Sequence, residues 1–140
     1  LVGVGTDGKV LLGLSHVQTR LQKRQDQWLA AHGISFKEFQ VMSALSEAGT
    51  HSLKRIDLAE KVGLSASGVT RILLPMEKIG LISKEEGARD ARVSLVRLSE
   101  AGERILADAE KSFSQSARTF MKSLTEEQRA ALATLSGIVV

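Results

Sequence analysis

The sequence predicts a mainly helical α+β fold: two short helices joined by a tight turn, then a β-hairpin, with long helices on either side. Three observations carry this. Apolar residues recur every three or four positions along most of the chain. Gly63-Leu64-Ser65 alone separates two such stretches. After Gly80 the period drops to two, over Leu81–Lys84 and again over Val93–Leu98.

Each element has a local cause. Val10, Leu14, Val17, Leu21 and Trp28 form a helical stripe from Val10 to about Ala31, with Arg20, Lys23, Gln25 and Gln27 on the opposite face and Gly33 as the stop. Ser35-Phe-Lys-Glu38 is a capping box, flanked by Ile34 and Phe39 at the staple positions. It starts a helix over Phe36–Glu47 with Phe39, Val41 or Met42, and Leu45 facing inward and Gly49 at its end. His51–Lys54 is a possible short strand. Ile56–Val62 is a helix of under two turns, stopped by Gly63. Ser65 caps a fourth helix whose inward positions are Val69, Ile72, Leu73, Met76 and Ile79, with Gly80 after its end. Glu85–Arg92 reads as a charged hairpin loop. Ser99 opens a long helix with Ile105, Leu106, Ala109, Phe113, Phe120 and Leu124 on its apolar side. Thr125-Glu-Glu-Gln128 is a second capping box, ahead of a last helix with Leu132, Leu135 and Ile138.

Two helices in a tight turn followed by a hairpin make a winged helix-turn-helix. The terminal helices carry apolar stripes far in sequence from that module, which suggests a second cluster. The bounds that follow are residues 34–98 for the winged module and residues 8–33 and 99–140 for the flanking helices.

Composition narrows the chemistry. The chain has 140 residues, 43% hydrophobic and 25% charged, in the range of an ordinary globular domain. Without cysteine there is no disulfide, thiolate metal site, cysteine nucleophile or thiol sensor. The net charge is +3, thinly spread. Residues 51–104 hold ten Lys or Arg against eight Asp or Glu, so a polyanion would have to be met by placement of charge rather than by its amount. No membrane span is expected. The apolar N-terminus is broken by Asp7 and Lys9 and follows no basic segment, so no signal peptide is expected and the cytoplasm is the expected compartment. Gly3-Val-Gly-Thr-Asp-Gly8 matches a dinucleotide-binding pattern in letters only, since no strand leads into it, and reads as a flexible tail. His16, His32 and His51 have no metal-ligand spacing and read as surface or helix-end residues, although a histidine–carboxylate site assembled in three dimensions stays open. No catalytic serine motif is present, so no enzyme and no cofactor are expected.

Four motifs in order resemble one family. Leu58-Ala-Glu-Lys-Val-Gly-Leu-Ser-Ala-Ser-Gly-Val-Thr-Arg71 resembles the helix-turn-helix of MarR-type transcription regulators. Met76-Glu-Lys-Ile-Gly-Leu-Ile82 is similar to that family's exit from the recognition helix, Arg89-Asp-Ala-Arg92 to its wing tip, and Leu98-Ser-Glu-Ala-Gly102 to its entry into the next helix. The resemblance implies a homodimer built from the terminal helices, which act as dimerisation helices, and a small organic effector that releases a repressor from DNA. It also implies that Asp90 orients Arg92.

The residues themselves suit duplex DNA. Ser65, Ala66, Ser67, Gly68, Thr70 and Arg71 stand at the start of the fourth helix, the part that meets base edges when such a helix enters the major groove. Arg71 is long enough to pair with guanine or to hold a phosphate. Arg89, Asp90 and Arg92 stand on the hairpin, where an arginine can reach a narrow minor groove. Lys54 and Arg55 precede the third helix as candidate phosphate contacts or plain surface charge. Trp28, Phe36 and Phe39 are candidates to line an effector pocket, but suit a core better. A winged-helix protein-interaction module without DNA binding is the alternative. Pro75 interrupts the fourth helix by removing the N–H that would bond to Arg71, so a kink or local loosening is expected there.

Overall fold

The computed structural model describes the backbone of residues 3–87 and 90–137 and the side chains of 3–85 and 94–137. In order come α1 (Gly5–Leu29), a 3-10 turn (Ala30–His32), α2 (Phe36–Glu47), β1 (Ser52–Lys54), α3 (Arg55–Val62), α4 (Ala66–Lys78), β2 (Ile82–Gly87), β3 (Asp90–Leu98), α5 (Glu100–Met121) and α6 (Glu126–Leu135).

Hydroxyl caps start four of the helices. Ser35, Ser65, Ser99 and Thr125 each accept a hydrogen bond from the backbone N–H three residues on, which satisfies a donor that has no partner inside the helix. Both predicted capping boxes are formed. Ser99 has a second role: its Oγ donates to the Gly80 carbonyl oxygen at 2.6 Å. Ser99→Ala therefore loses a cap and leaves a carbonyl unserved, and should cost about 1–2 kcal/mol. Ser67→Ala, on an exposed side chain, should be near neutral; the urea midpoints of the two variants at one protein concentration check this.

The three strands form an antiparallel sheet in the order β1-β3-β2. Leu53 pairs with Val96 and Ile82 with Leu98, which puts apolar residues on the inner face. One core cluster joins α1 to α5 and the sheet: Leu29 from α1, Leu45 from α2, Leu58 from α3, Leu73 and Met76 from α4, Val96 from β3 and Leu106 from α5. The inner portions of the long helices therefore share the core of the winged module instead of forming the separate cluster expected. The outer half of α1 does not join it. Val10 and Leu14 are each 57% exposed and Val17 is 50% exposed.

Several expectations are corrected. Helix α1 begins at Gly5, so Gly5–Gly8 is helical rather than a tail, with the Asp7 carboxylate in the first turn, where the helix dipole favours it. Gln25, expected on the polar face, is 1% exposed. Its Nε2 donates to Ser116 Oγ at 2.9 Å, so α5 serves half of the amide, while Oε1 is buried without a partner among the described residues. Helix α2 keeps its expected span Phe36–Glu47, but the chain leaves the helix at the extended Ala48 rather than at Gly49. Ile79 is 62% exposed. It sits past the last helical residue, where ψ near 4° ends the spacing that would have turned it inward. Leu124 lies beyond the end of α5. Ile138 lies outside the described residues. The expected loop at Glu85–Arg92 is mostly strand: β2 continues to Gly87 and β3 starts at Asp90, with a bulge at Glu86/Gly87. Charged strands show no apolar alternation, so only the backbone ladder reveals them. Helix α4 continues across Pro75 to Lys78 without interruption.

Candidate nucleic-acid interface

The turn between α3 and α4 follows from three residues. Gly63 has φ +68, a conformation that suits glycine, and Leu64 N–H bonds back to the Ala59 carbonyl at 3.0 Å. Ser65 then caps α4, its Oγ accepting from Gly68 N at 3.1 Å and lying 3.2 Å from Ser67 Oγ. The inward face of α4 is set by burial of Val69, Leu73 and Met76. Ala66, Ser67, Thr70, Arg71 and Leu74 are left facing solvent. Gly68 is half-buried and closely flanked: a Cβ there would lie 3.2 Å from Ser65 Oγ and 3.6 Å from Leu64.

The basic candidates gather around this face. Arg55 is the first residue of α3 and its Nη2 donates to Thr70 Oγ1 on α4. Thr70 Oγ1 in turn donates to the Ala66 carbonyl oxygen at 3.2 Å. Lys54, at the cap position of α3, is exposed. Lys37, which the sequence reading does not single out, lines a cleft of about 360 Å³ with Leu64, Gly68, Arg71 and Ile72. Its Nζ donates to the Val62 carbonyl oxygen at 3.1 Å. A lysine in the first turn of a helix is at odds with the helix dipole, and that is the signal by which it could have been found.

Two acids near the face are neutralised by pairing. Glu77 Oε2 lies 3.2 Å from Lys84 Nζ, and Glu85 Oε1 lies 3.1 Å from Arg97 Nε. Such surface pairs add little stability, but they lower the repulsion that an approaching polyanion would meet. On the hairpin, Arg89 lies outside the described residues. The structure describes Asp90 and Arg92 only as backbone of β3, so they stand on a strand rather than in a loop.

The three aromatic candidates are not brought together. Trp28 lines an open groove of about 1030 Å³ between α1 and the end of α5, with Arg20, Lys23, Arg24, Phe120, Leu124 and Leu132. Phe36 and Phe39 lie in a different cleft of about 380 Å³ formed by α2, α3 and α5. Both stack on Phe113, with centroids 5.9 and 4.8 Å away, and Phe39 is core. The histidines are apart as well. His32 Nε2 is 2.7 Å from Ser112 Oγ, and His51 Nδ1 is 3.0 Å from Glu103. Among the described residues no cluster of acidic and imidazole groups is arranged to hold a metal ion, and no helix is long and apolar enough to cross a membrane.

The MarR family model matches residues 34–94, the stretch that carries this turn, the outward face of α4 and the hairpin. The transcriptional repressor MprA of Escherichia coli is 30% identical over 93 residues, covering 66% of this chain and 53% of MprA. Residues 34–94 carry a MarR family domain. It spans about half the length of the curated MarR relatives it matches. A MarR-like transcription regulator from Bacillus cereus has a TM-score of 0.81 at 26% identity, over 94% of each chain. Sco3205, a MarR family regulator from Streptomyces coelicolor solved in complex with DNA, has a TM-score of 0.84 at 20% identity, over 97% of this chain and 87% of its own. The MarR winged helix is thus the fold of this chain. These relatives are named as regulators rather than enzymes, in keeping with the lack of a catalytic motif.

Proposed function

We propose that this chain regulates transcription by binding duplex DNA through α4 and the β2–β3 wing. The observation that carries the reading is the outward face of α4. Short side chains at Ala66, Ser67 and Thr70 let the backbone come close to DNA, while Arg55, Arg71 and Lys37 supply cations at its edges. The DNA complex of the similarly folded Sco3205 supports the partner class. Ser65, Ser67, Gly68, Thr70 and Arg71 stand at the major groove in this reading. Lys54 and Arg55 stand at the phosphates, and Arg89 and Arg92, with Asp90 orienting Arg92, at the minor groove.

The unit is a homodimer on a palindromic site. Exposure of Val10, Leu14 and Val17 on α1 and of Leu132 and Leu135 on α6 supports an association through residues 8–33 and 99–140. A two-fold pair would present two copies of α4 roughly 34–36 Å apart, one turn of DNA. It acts as a repressor and is released by a small organic effector. The cleft lined by Phe36, Phe39 and Phe113 supports such a ligand, because it lies between α5 and the winged module. A ligand there would shift DNA affinity only by preferring one arrangement of the two parts.

Selection of bound sequences from random duplex DNA tests the function and the symmetry together: a palindrome is expected. Affinity should fall log-linearly with salt. No binding at low salt would overturn the reading in favour of a protein-interaction module. Arg71→Ala should cost about 1–3 kcal/mol of binding and relax sequence preference if Arg71 reads a base, whereas a uniform loss would make it a phosphate contact. Arg92→Ala should weaken DNA binding and leave the dimer intact by sedimentation.

A further inference from the structure

The outward face of α4 also carries an apolar strip. Ala66, Thr70 and Leu74 recur every four residues, and all three are exposed. Leu74, at 46%, is a large aliphatic side chain with solvent on a helix whose opposite face is core. Thr70 joins the strip through its methyl group, because its hydroxyl is already engaged. A hydroxyl has one proton to donate and two lone pairs. The proton of Thr70 goes to the Ala66 carbonyl oxygen at 3.2 Å, and one lone pair takes the Arg55 guanidinium. Without breaking that arrangement, Thr70 has no proton for guanine O6 or N7, or for thymine O4.

The major groove offers one apolar group on its base edges, the 5-methyl of thymine. Positions four apart on a helix are about 6 Å apart, close to two base-pair steps. The strip lies between cations, Arg55 on α3 and Arg71 on α4, and the one acid among the exposed residues of α4, Glu77, is paired with Lys84. This combination fits a duplex whose phosphates meet the arginines and whose floor is lined with methyl groups. We propose that α4 reads thymine 5-methyl groups, and hence A·T pairs, through the strip formed by Ala66, the Thr70 methyl and Leu74. The inference rests on the DNA-binding reading above. Arg55 acts as a positioning residue in it, since it holds Thr70 from the neighbouring helix.

The test uses the full chain and the duplexes recovered by selection, remade with deoxyuridine in place of individual thymidines. Uracil pairs as thymine does and lacks only the methyl. Affinity should fall about fourfold for each thymine that the strip contacts, the worth of one buried methyl-sized group. Thr70→Val keeps the methyl without the hydroxyl and should retain the thymine-over-uracil difference, whatever affinity it loses with the Arg55 contact. Thr70→Ser keeps the hydroxyl and should lose that difference at one position. Equal binding of uracil and thymine duplexes would overturn the inference while leaving the DNA-binding reading intact. A Thr70→Val protein that loses the difference, beside a Thr70→Ser protein that keeps it, would overturn it too, by showing that the hydroxyl reads the base. Recovery of no duplex at all would overturn the DNA-binding reading and this inference with it.

Discussion

Leu73→Ala should lower the stability of the chain by about 2–5 kcal/mol, the usual cost of emptying a leucine-sized space in a core. Leu73 is fully buried on the inward face of α4 and belongs to the one cluster that joins α1, α2, α3, the sheet and α5. Collapse of the gap would require movement of Leu45, Leu58 or Met76, which are themselves fully buried. The adjacent Leu74→Ala is the control, because its side chain is 46% exposed and should cost under about 1 kcal/mol. Urea unfolding at fixed protein concentration, with unchanged m, measures both. Similar midpoint shifts for the two variants would mean that α4 is packed the other way round, and the reading of its outward face would fall with it.

Gly102→Ala should also destabilise, by about 2 kcal/mol net of the helix propensity that alanine gains. A Cβ at Gly102 would lie 2.3 Å from the Leu81 carbonyl oxygen and 2.7 Å from Leu98 Cδ1. The leucine side chain could turn aside. The carbonyl could not, since it belongs to the backbone and accepts from Ser99 N at 3.0 Å. Relief would require α5 to back away from the start of β2. Gly68→Ala makes a milder contrast: its Cβ would lie 3.2 Å from Ser65 Oγ and 3.6 Å from Leu64 Cβ and Cδ2, contacts that a few tenths of an ångström relieve and that the helix propensity of alanine should largely offset. Equal or greater stability for Gly102→Ala would refute the close approach.

The legible parts of this fold are those written in local chemistry. Helix α2 runs from Phe36 to Glu47 as its capping box predicts, because Ser35 and Glu38 satisfy each other's N–H groups without help from elsewhere. The α3–α4 turn was legible for the same reason, from Gly63 and the Ser65 cap. What the sequence hid depends on partners distant along the chain. The burial of Gln25 depends on Ser116, ninety-one positions away. The engagement of Thr70 depends on Arg55, and the place of Lys37 depends on Arg71 and Gly68. The strands of the wing were underestimated because their ends carry charged residues, and a ladder of backbone hydrogen bonds leaves no trace in side-chain pattern. Burial of Leu29, Leu106 and Ala109 in the main core was missed because period identifies an apolar face but not what covers it.

The junction near Gly80 has a mechanical consequence. Gly80 N–H closes the end of α4 on Glu77 and Leu81 N–H closes it on Met76. The carbonyls of the same two residues hold Ser99, through its Oγ and its N–H, at the root of α5. Helix α4, the hairpin and α5 thus meet at one hydrogen-bonded junction. A torque applied along α5 reaches α4 and the wing together, as the handle of a caliper moves its two jaws. In the proposed DNA-binding reading, α5 would then set where α4 and the wing are held together rather than how far apart they stand.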